Sequence, residues 1–438
     1  MAPKVHIEIN HLLARSSAYT NPTTANSNKT KPIITDGYLD GDVVISMDDV
    51  KDTIDPTAEY VVEVTFEGKL STSIHLNIST QLLRMAKNLI LLRASDIREL
   101  SQTQSDTPRP PSPTFIHPFH FNIPQTADPT SSSTETGVLL PPSLSFKPLS
   151  VYDSNDLTLR GQCRIEYCLK ARLFDQGGCI AEDEFPVTFA PAHECPPPIC
   201  ITDFPREYTL HSANRIRDLL SLRDLHHLSV ETEEPDPLHL NRLNTAFTIV
   251  PLKVSYQCLG PSKHHQPPHQ PPDLFAKVQT SLRATTFLSV TSQARVPIQL
   301  EANKLRNFRL LANTVRVGST QVRKLRIGSW EPEDTNNIDQ TPDHPTTWTS
   351  TAHLIFTVDD HEYVPPTFTH PYVSRRYSLS ISIDVDGSRD ASFQLQVPVH
   401  VSHDRASAFC EEVRVHSNAV ADEEDMLAEA CIPPPYMA

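Results

Sequence analysis

Apolar and polar residues alternate at every second position through much of this chain, the pattern of strands with one buried face. Cys163, Ile165, Tyr167, Leu169, Ala171 and Leu173 fall on one side of an extended segment, with Arg164, Glu166, Lys170 and Arg172 on the other. Tyr377, Leu379, Ile381, Ile383 and Val385 alternate in the same way with Arg376, Ser378, Ser380, Ser382 and Asp384. After the turn Asp386-Gly387-Ser388, Phe393, Leu395, Val397, Val399 and Val401 follow, which predicts a hairpin. Further strands are predicted over Val5–Ile9, Val43–Met47, Tyr60–Phe66, Ile74–Ile78, Phe119–Ile123, Phe185–Phe189, Phe247–Tyr256, Arg295–Leu300 and Leu354–Val358. Many short strands separated by turn-rich connections predict β-sandwiches with antiparallel sheets, because no helices alternate with the strands.

Two stretches carry a helical spacing instead. Ser79–Leu92 has apolar residues at Leu82, Leu83, Met85, Ala86, Leu89 and Ile90, and Asn214–Leu228 has Ile216, Leu219, Leu220, Leu222, Leu225 and Leu228. The second lies between the two strand-rich halves and precedes the turn-forming Glu231-Thr-Glu-Glu-Pro-Asp-Pro. The expected organisation is therefore a sandwich domain over 1–190, a linker with a short helical insert over 191–245, a second sandwich over 246–403, and an acidic tail over 404–438. Polar, proline-rich loops are expected at Thr20–Lys31, Ser101–Pro113, Thr126–Thr136 and Pro261–Pro272.

Composition narrows the function. A net charge of −15 argues against broad nucleic-acid binding, which needs Lys and Arg to replace phosphate counterions. The basic run Arg323-Lys324-Leu325-Arg326 reads as a solvated strand face. The amino terminus lacks the apolar core of a signal peptide, and no apolar stretch approaches the ~20 residues of a membrane-spanning helix. The eight cysteines, at 163, 168, 179, 195, 200, 258, 410 and 431, are expected as free thiols. Cys195-x4-Cys200 encloses three prolines and has no second pair, so it reads as a loop and not as a zinc site. The motifs G-x-S-x-G, G-x-x-x-x-G-K-[ST], H-E-x-x-H and G-x-G-x-x-G do not occur. With 11 glycines there is little room for phosphate-cradling loops, and no enzyme, metal or cofactor is expected.

One motif does suggest chemistry. Pro433-Pro434-Pro435-Tyr436 is a PPxY sequence. Consecutive prolines preset a polyproline II helix, which suits the aromatic groove of WW domains. Pro433 and Pro434 would pack in that groove, Tyr436 would fill the second pocket, and Pro435 occupies the tolerant position. With nine adjacent proline pairs and 11 tyrosines, chance supplies about 0.2 such motifs, so the motif alone is only modestly specific.

Several strand motifs resemble a known family. Tyr38-Leu-Asp-Gly41-Asp42-Val43-Val44 resembles the Y-x-x-G-D-x-V element of the arrestin amino-terminal domain, with a tight turn expected at Gly41-Asp42. Val62, Val64, Phe66 and Gly68 resemble the next strand, Phe119–Pro124 the F-x-F-x-I-P strand, Leu140-Pro-Pro-Ser-Leu144 the L-P-P-S-F element, and Ile165-x-Tyr167-x-Leu169-x-Ala171 the strand after it. Val364-Pro-Pro-Thr-Phe368, Tyr377-x-Leu379-x-Ile381 and Val397-Pro398-Val399 resemble the carboxyl-terminal domain more loosely. Ser46 stands where the family often has a glycine. With its PPxY tail, the chain resembles a fungal-type α-arrestin. That resemblance implies an all-β fold of two arrestin-like, immunoglobulin-like sandwiches. It also implies a cytoplasmic, non-catalytic adaptor that links cytosolic tails of membrane transporters or receptors to a WW-containing HECT-type ubiquitin ligase and so promotes endocytosis. Recruitment to plasma membrane or endosomes would then run through cargo only. The alternative is a trafficking or signalling scaffold, in cargo sorting or pH signalling, without ligase recruitment.

Overall fold

The computed structural model describes residues 4–8, 33–35, 37–46, 59–76, 82–99, 114–127, 137–152, 158–176, 178–191, 197–217, 225–240, 245–258, 270–304, 309–333, 347–359, 363–386 and 392–403. The first ten strands are β1 (Lys4–Glu8), β2 (Ile33–Thr35), β3 (Tyr38–Ser46), β4 (Glu59–Leu76), β5 (Leu82–Glu99), β6 (Thr114–Asn122), β7 (Leu144–Tyr152), β8 (Thr158–Asp175), β9 (Gly178–Val187) and β10 (Phe189–Pro191). The β1–β3–β6 sheet faces the sheet β5–β4–β8–β7, to which β9 adds through β8. Between them lies one core, with Val43, Ile45, Phe119 and Phe121 from the first sheet and Val64, Phe66, Ile165, Tyr167 and Leu169 from the second. The six residues from Cys163 to Leu173 that the alternation placed on one face are all buried.

The remaining strands are β11 (His211–Arg217), β12 (Leu225–Thr232), β13 (Leu238–Leu240), β14 (Thr245–Cys258), β15 (Leu274–Ser289), β16 (Leu310–Ile327), β17 (Glu331–Pro332), β18 (Thr347–Asp359), β19 (Phe368–His370), β20 (Val373–Val385), β21 (Ser392–Val399) and β22 (Val401–His403). The sheet β11–β12–β14–β18–β17 packs on β16–β15–β20–β19, with β21 joined to β20, around a second core that includes Val250, Val254, Phe356, Tyr377, Ile381 and Phe393.

The second sandwich repeats the ten strands of the first and adds β11 and β17. The antiparallel pairs β1–β3, β3–β6, β4–β5, β4–β8, β7–β8 and β8–β9 recur as β12–β14, β14–β18, β15–β16, β15–β20, β19–β20 and β20–β21. The two parallel pairs, β2–β10 and β13–β22, recur as well. The same side-chain device closes each copy. The Tyr167 hydroxyl donates to the Pro141 carbonyl at 2.6 Å, while Ser143 N–H donates to Phe189 O and its hydroxyl accepts from Phe189 N–H. The Tyr377 hydroxyl donates to the Pro365 carbonyl, while Thr367 N–H donates to Val401 O and its hydroxyl accepts from Val401 N–H. The Leu140-Pro-Pro-Ser and Val364-Pro-Pro-Thr motifs are thus one element used twice: rigid, donor-poor prolines carry a carbonyl into the core, where a tyrosine satisfies it. Tyr167→Phe is expected to cost about 1–3 kcal/mol by stranding that carbonyl. Tyr377→Phe is expected to cost more, because the Tyr377 hydroxyl also accepts from Arg375 Nε at 2.7 Å. Urea midpoints of the two variants measure the difference.

Both expected helical stretches are corrected. Residues 82–92 lie in β5, an 18-residue strand paired with β4 along its whole length. Gly68 faces Ile90 and Lys69 faces Asn88, so Leu89 is an extra residue in a β-bulge. The bulge switches the phase of the alternation and places Leu89 and Ile90 side by side in the core. That phase switch is what imitated a helical spacing. In the Asn214–Leu228 stretch, 214–217 belong to β11 and 225–228 to β12, paired as Asn214 with Leu228 and Ile216 with His226. Pairing to β14 overrides the helix preference from His226 onward, and 218–224, with Leu219, Leu220 and Leu222, lie outside the described residues. Gly41-Asp42 is strand interior, opposite Phe119 and Pro118, and not a turn. Ile74–Ile78 falls partly at the end of β4, and 295–300 are bends and turns.

The two cores meet along β15 and β20. Leu288, Leu311, Phe368 and Val373 belong to the first core although their strands build the second sandwich. The Thr72 hydroxyl donates to Ser289 O at 2.9 Å and the Tyr363 hydroxyl to Phe189 O at 3.3 Å, adding polar contacts across the seam.

Candidate functional site

The β15–β16 hairpin forms one edge of the second sandwich, since among the described residues β16 pairs only with β15. These two strands carry six cationic residues, Lys277, Arg283, Arg316, Arg323, Lys324 and Arg326, and no acidic one. Cross-strand register places like charges directly opposite each other: Lys277 faces Lys324 and Arg283 faces Arg316. All four are exposed on the outer face of the sheet. Opposed like charges weaken a sheet, so the arrangement works against folding. Among the described residues only Arg326 of the six has a carboxylate within ion-pair distance, Asp273. Asp384 lies opposite Lys277 on the other side, in β20, outside that distance.

The edge is also bent. Between Leu282/Val317 and Thr280/Gln321, β16 holds three residues against one, and Gly318 takes φ 66° there. The Arg316 guanidinium donates to the Thr320 hydroxyl across this bulge at 3.2 Å. The bulge opens a groove of ≈ 410 Å³ lined by Val317–Ser319, Gln321–Arg323 and Phe356–Val358. Its far wall is β18, which among the described residues pairs on that side only with the short β17 near Trp348 and Thr349. Gln321 bridges the two walls, its amide donating to the Thr357 hydroxyl at 3.1 Å. Two sheet edges therefore lie side by side, with Arg323 between them. Cations on an edge keep it from pairing with other edges, but one would serve that purpose. Two opposed pairs, at a cost in stability, are more than that purpose needs.

A second cluster holds the connection between the sandwiches. Residues 197–210, with one 3₁₀ turn at Ile201–Asp203, lie along the second sandwich. Glu234 accepts from Ile199 N–H at 2.6 Å and lies 3.4 Å from His400 Nε2. Glu207 accepts from Gln299 N–H at 2.6 Å and pairs with Arg376 at 2.7 Å; the two side chains are 3% and 6% exposed. The Arg376 guanidinium stacks between the Phe204 and Phe287 rings, 4.3 and 4.5 Å from their centroids, and donates to Pro297 O.

The strongly perturbed titratable groups sit elsewhere. Burial pushes the Cys163 thiol up to about 12 and raises the Tyr167, Tyr363 and Tyr377 hydroxyls, which keeps all four neutral in the cores and the seam. On the outer face of the first sandwich, a hydrogen bond donated by His120 Nδ1 to the Asp40 carboxylate raises the imidazole above its ordinary value. None of these groups lines the groove.

Of the residues the sequence nominated, Pro433, Pro434, Pro435 and Tyr436 lie outside the described residues. Cys200 is exposed, 3.1 Å from the Thr202 hydroxyl, and Cys195 lies outside them. The run Arg323-Lys324-Leu325-Arg326 is on a strand, as expected, but that strand is an edge. Sequence reading missed Lys277, Arg283 and Arg316, which are isolated cations until register assembles them. Searched against family models and against curated proteins, the chain matches none.

Proposed function

We propose that this protein is a non-catalytic adaptor whose sandwiches are arrestin-like. It binds acidic segments in the cytosolic tails of membrane transporters or receptors and recruits a WW-containing HECT-type ubiquitin ligase through Pro433-Pro434-Pro435-Tyr436. The observation that carries the reading is the acid-free β15–β16 hairpin with its opposed like charges, held in a chain of net charge −15. An extended acidic segment laid across Lys277, Lys324, Arg283 and Arg316 supplies carboxylates to cations that have none within ion-pair distance among the described residues. The open edge offers main-chain hydrogen bonds to the same segment. The PPxY tail then raises the local concentration of ligase at lysines of the bound protein. On this reading the adaptor works in the cytoplasm and reaches plasma membrane or endosomes through its cargo. Among the described residues no helix is long and apolar enough to cross a membrane.

Two substitutions test the two halves separately. The double variant Arg316→Glu, Lys324→Glu is expected to weaken binding of a fluorescent acidic cargo peptide about tenfold at low salt, and the difference should shrink as salt screens the charges. Tyr436→Ala is expected to abolish binding to a WW domain and leave peptide binding intact. Unchanged WW binding in Tyr436→Ala would remove the tail from the mechanism. Cargo sorting that proceeds normally with Tyr436→Ala would favour the scaffold that acts without a ligase.

A further inference from the structure

The inner side of the same edge carries a cation of its own. Arg323 lies opposite Val278 of β15, and Val278 is 1% exposed, so both side chains are on the face turned towards the opposite sheet. Arg323 is nonetheless exposed, because the groove between β16 and β18 is open there. Its guanidinium has no carboxylate within ion-pair distance among the described residues. The walls beside it are apolar, with Val317 from β16 and Phe356 and Val358 from β18. From Gln321 to Ile327 the register with β15 runs unbroken, so beyond the bulge the free side of β16 is a regular strand edge.

We propose that this groove selects a short sequence signature in the bound segment. The segment adds to the free edge of β16 along 321–327 and turns an aliphatic residue and a carboxylate, two positions apart, into the groove. The aliphatic side chain packs on Phe356 and Val358, and the carboxylate meets Arg323. The inference rests on the adaptor reading and deepens it, from an acidic segment in general to one with a defined spacing.

The spacing follows from strand geometry. A strand added to an edge sends every second side chain to one face. Its residue opposite Arg323 shares the inner face, with Cβ atoms about 5 Å apart, within reach of an ion pair. Its next inward residue lies two positions away, over the apolar walls. The residues between face outward, towards Lys324 and Val322. Outer cations therefore attract acidic chains of any order, while the inner face discriminates among them. The groove is also held open in advance: the Gln321 amide donates to the Thr357 hydroxyl at 3.1 Å, and Thr357 N–H donates back to Gln321 Oε1 at 3.4 Å. Pre-formed walls spare the segment the cost of ordering them. An inward cation by itself can blunt an edge against unwanted pairing, but that purpose needs neither apolar walls nor a bridge between them.

The test uses the full-length chain and two labelled peptides of identical composition and charge. Each has a central leucine in a glutamate frame with two serines. In the first peptide the serines flank the leucine directly, so the residues two positions from it are glutamates. In the second the serines stand two positions away on either side, and the inward acids are lost. The first peptide is expected to bind about tenfold more tightly than the second, and to slow amide exchange along 321–327. Arg323→Gln should remove the difference. Arg323 makes no ion pair among the described residues, so this variant keeps the fold. Equal binding of the two peptides to wild type would overturn the signature, as would a difference that persists in Arg323→Gln. If the two bind equally and Arg316→Glu, Lys324→Glu abolishes both, the adaptor reading keeps its outer face. If neither peptide binds wild type, both readings fail.

Discussion

Replacing Arg376 by alanine is expected to destabilise the protein by about 3–5 kcal/mol, read as a large fall in the urea midpoint. The size follows from what is left behind. Glu207 sits almost fully buried, and its other oxygen already holds Gln299 N–H at 2.6 Å. Without Arg376 the carboxylate is left in a site with no other cation within ion-pair distance among the described residues. The aromatic slot also empties, since Phe204 and Phe287 pack on the two faces of the guanidinium. Arg376→Lys is expected to recover part of the loss, because an ammonium restores the charge but cannot fill a planar slot or reach Pro297 O and Glu207 together. The double variant Arg376→Met, Glu207→Leu is expected to be far less damaging than either single change. A buried ion pair is costly to break and often nearly neutral to replace. The pair is buried, so these effects should vary little with salt, unlike those at Arg316 and Lys324.

The consequence reaches beyond stability. Glu207 belongs to the connection between the sandwiches, and Glu234 holds the same connection eight residues upstream of Glu207, through Ile199. Loss of the Arg376 anchor should raise hydrogen exchange through 197–210 before it affects the strands, because local opening follows the weakest contacts.

This pair was not legible in the sequence, and the reason is its range. Glu207 and Arg376 are 169 positions apart. Arg376 reads as the polar phase of the alternation that buries Tyr377, Leu379 and Ile381, and so as solvent-facing. That outer face is covered by 197–210, a cover no local pattern announces. The strands themselves were legible wherever the alternation ran unbroken, as in β8, β14, β20 and β21. They were misread where a bulge shifted the phase, as at Leu89, or where leucines continued through a hairpin, as from Ile216 to Leu228. The cationic face was half legible: the run 323–326 was visible, while Lys277, Arg283 and Arg316 acquired meaning only through register.

Gly68→Ala is the second change expected to have a large effect. A methyl group at position 68 would lie 2.5 Å from Tyr167 Cε1 and 2.8 Å from Ile90 Cγ2. The Tyr167 ring cannot yield. Its centroid is 4.6 Å from that of Phe189 and 5.7 Å from that of Phe66, and its hydroxyl is tied to Pro141 O at 2.6 Å. Overpacking of this kind costs about 1–3 kcal/mol, and here it also threatens the Pro141 contact and the bulge at Leu89. The repeat supplies an internal control. Position 284 in β15 is the counterpart of 68: it faces Tyr377 as Gly68 faces Tyr167, and it is a buried alanine. If the clash arises from the Tyr167 ring, Gly68→Ala should lower the urea midpoint of the first sandwich strongly. Ala284→Gly should cost only about 1 kcal/mol, through backbone entropy. A Gly68→Ala protein as stable as wild type would mean that the ring is free to move, and that the Leu-Pro-Pro-Ser anchor does not fix Tyr167 in the core.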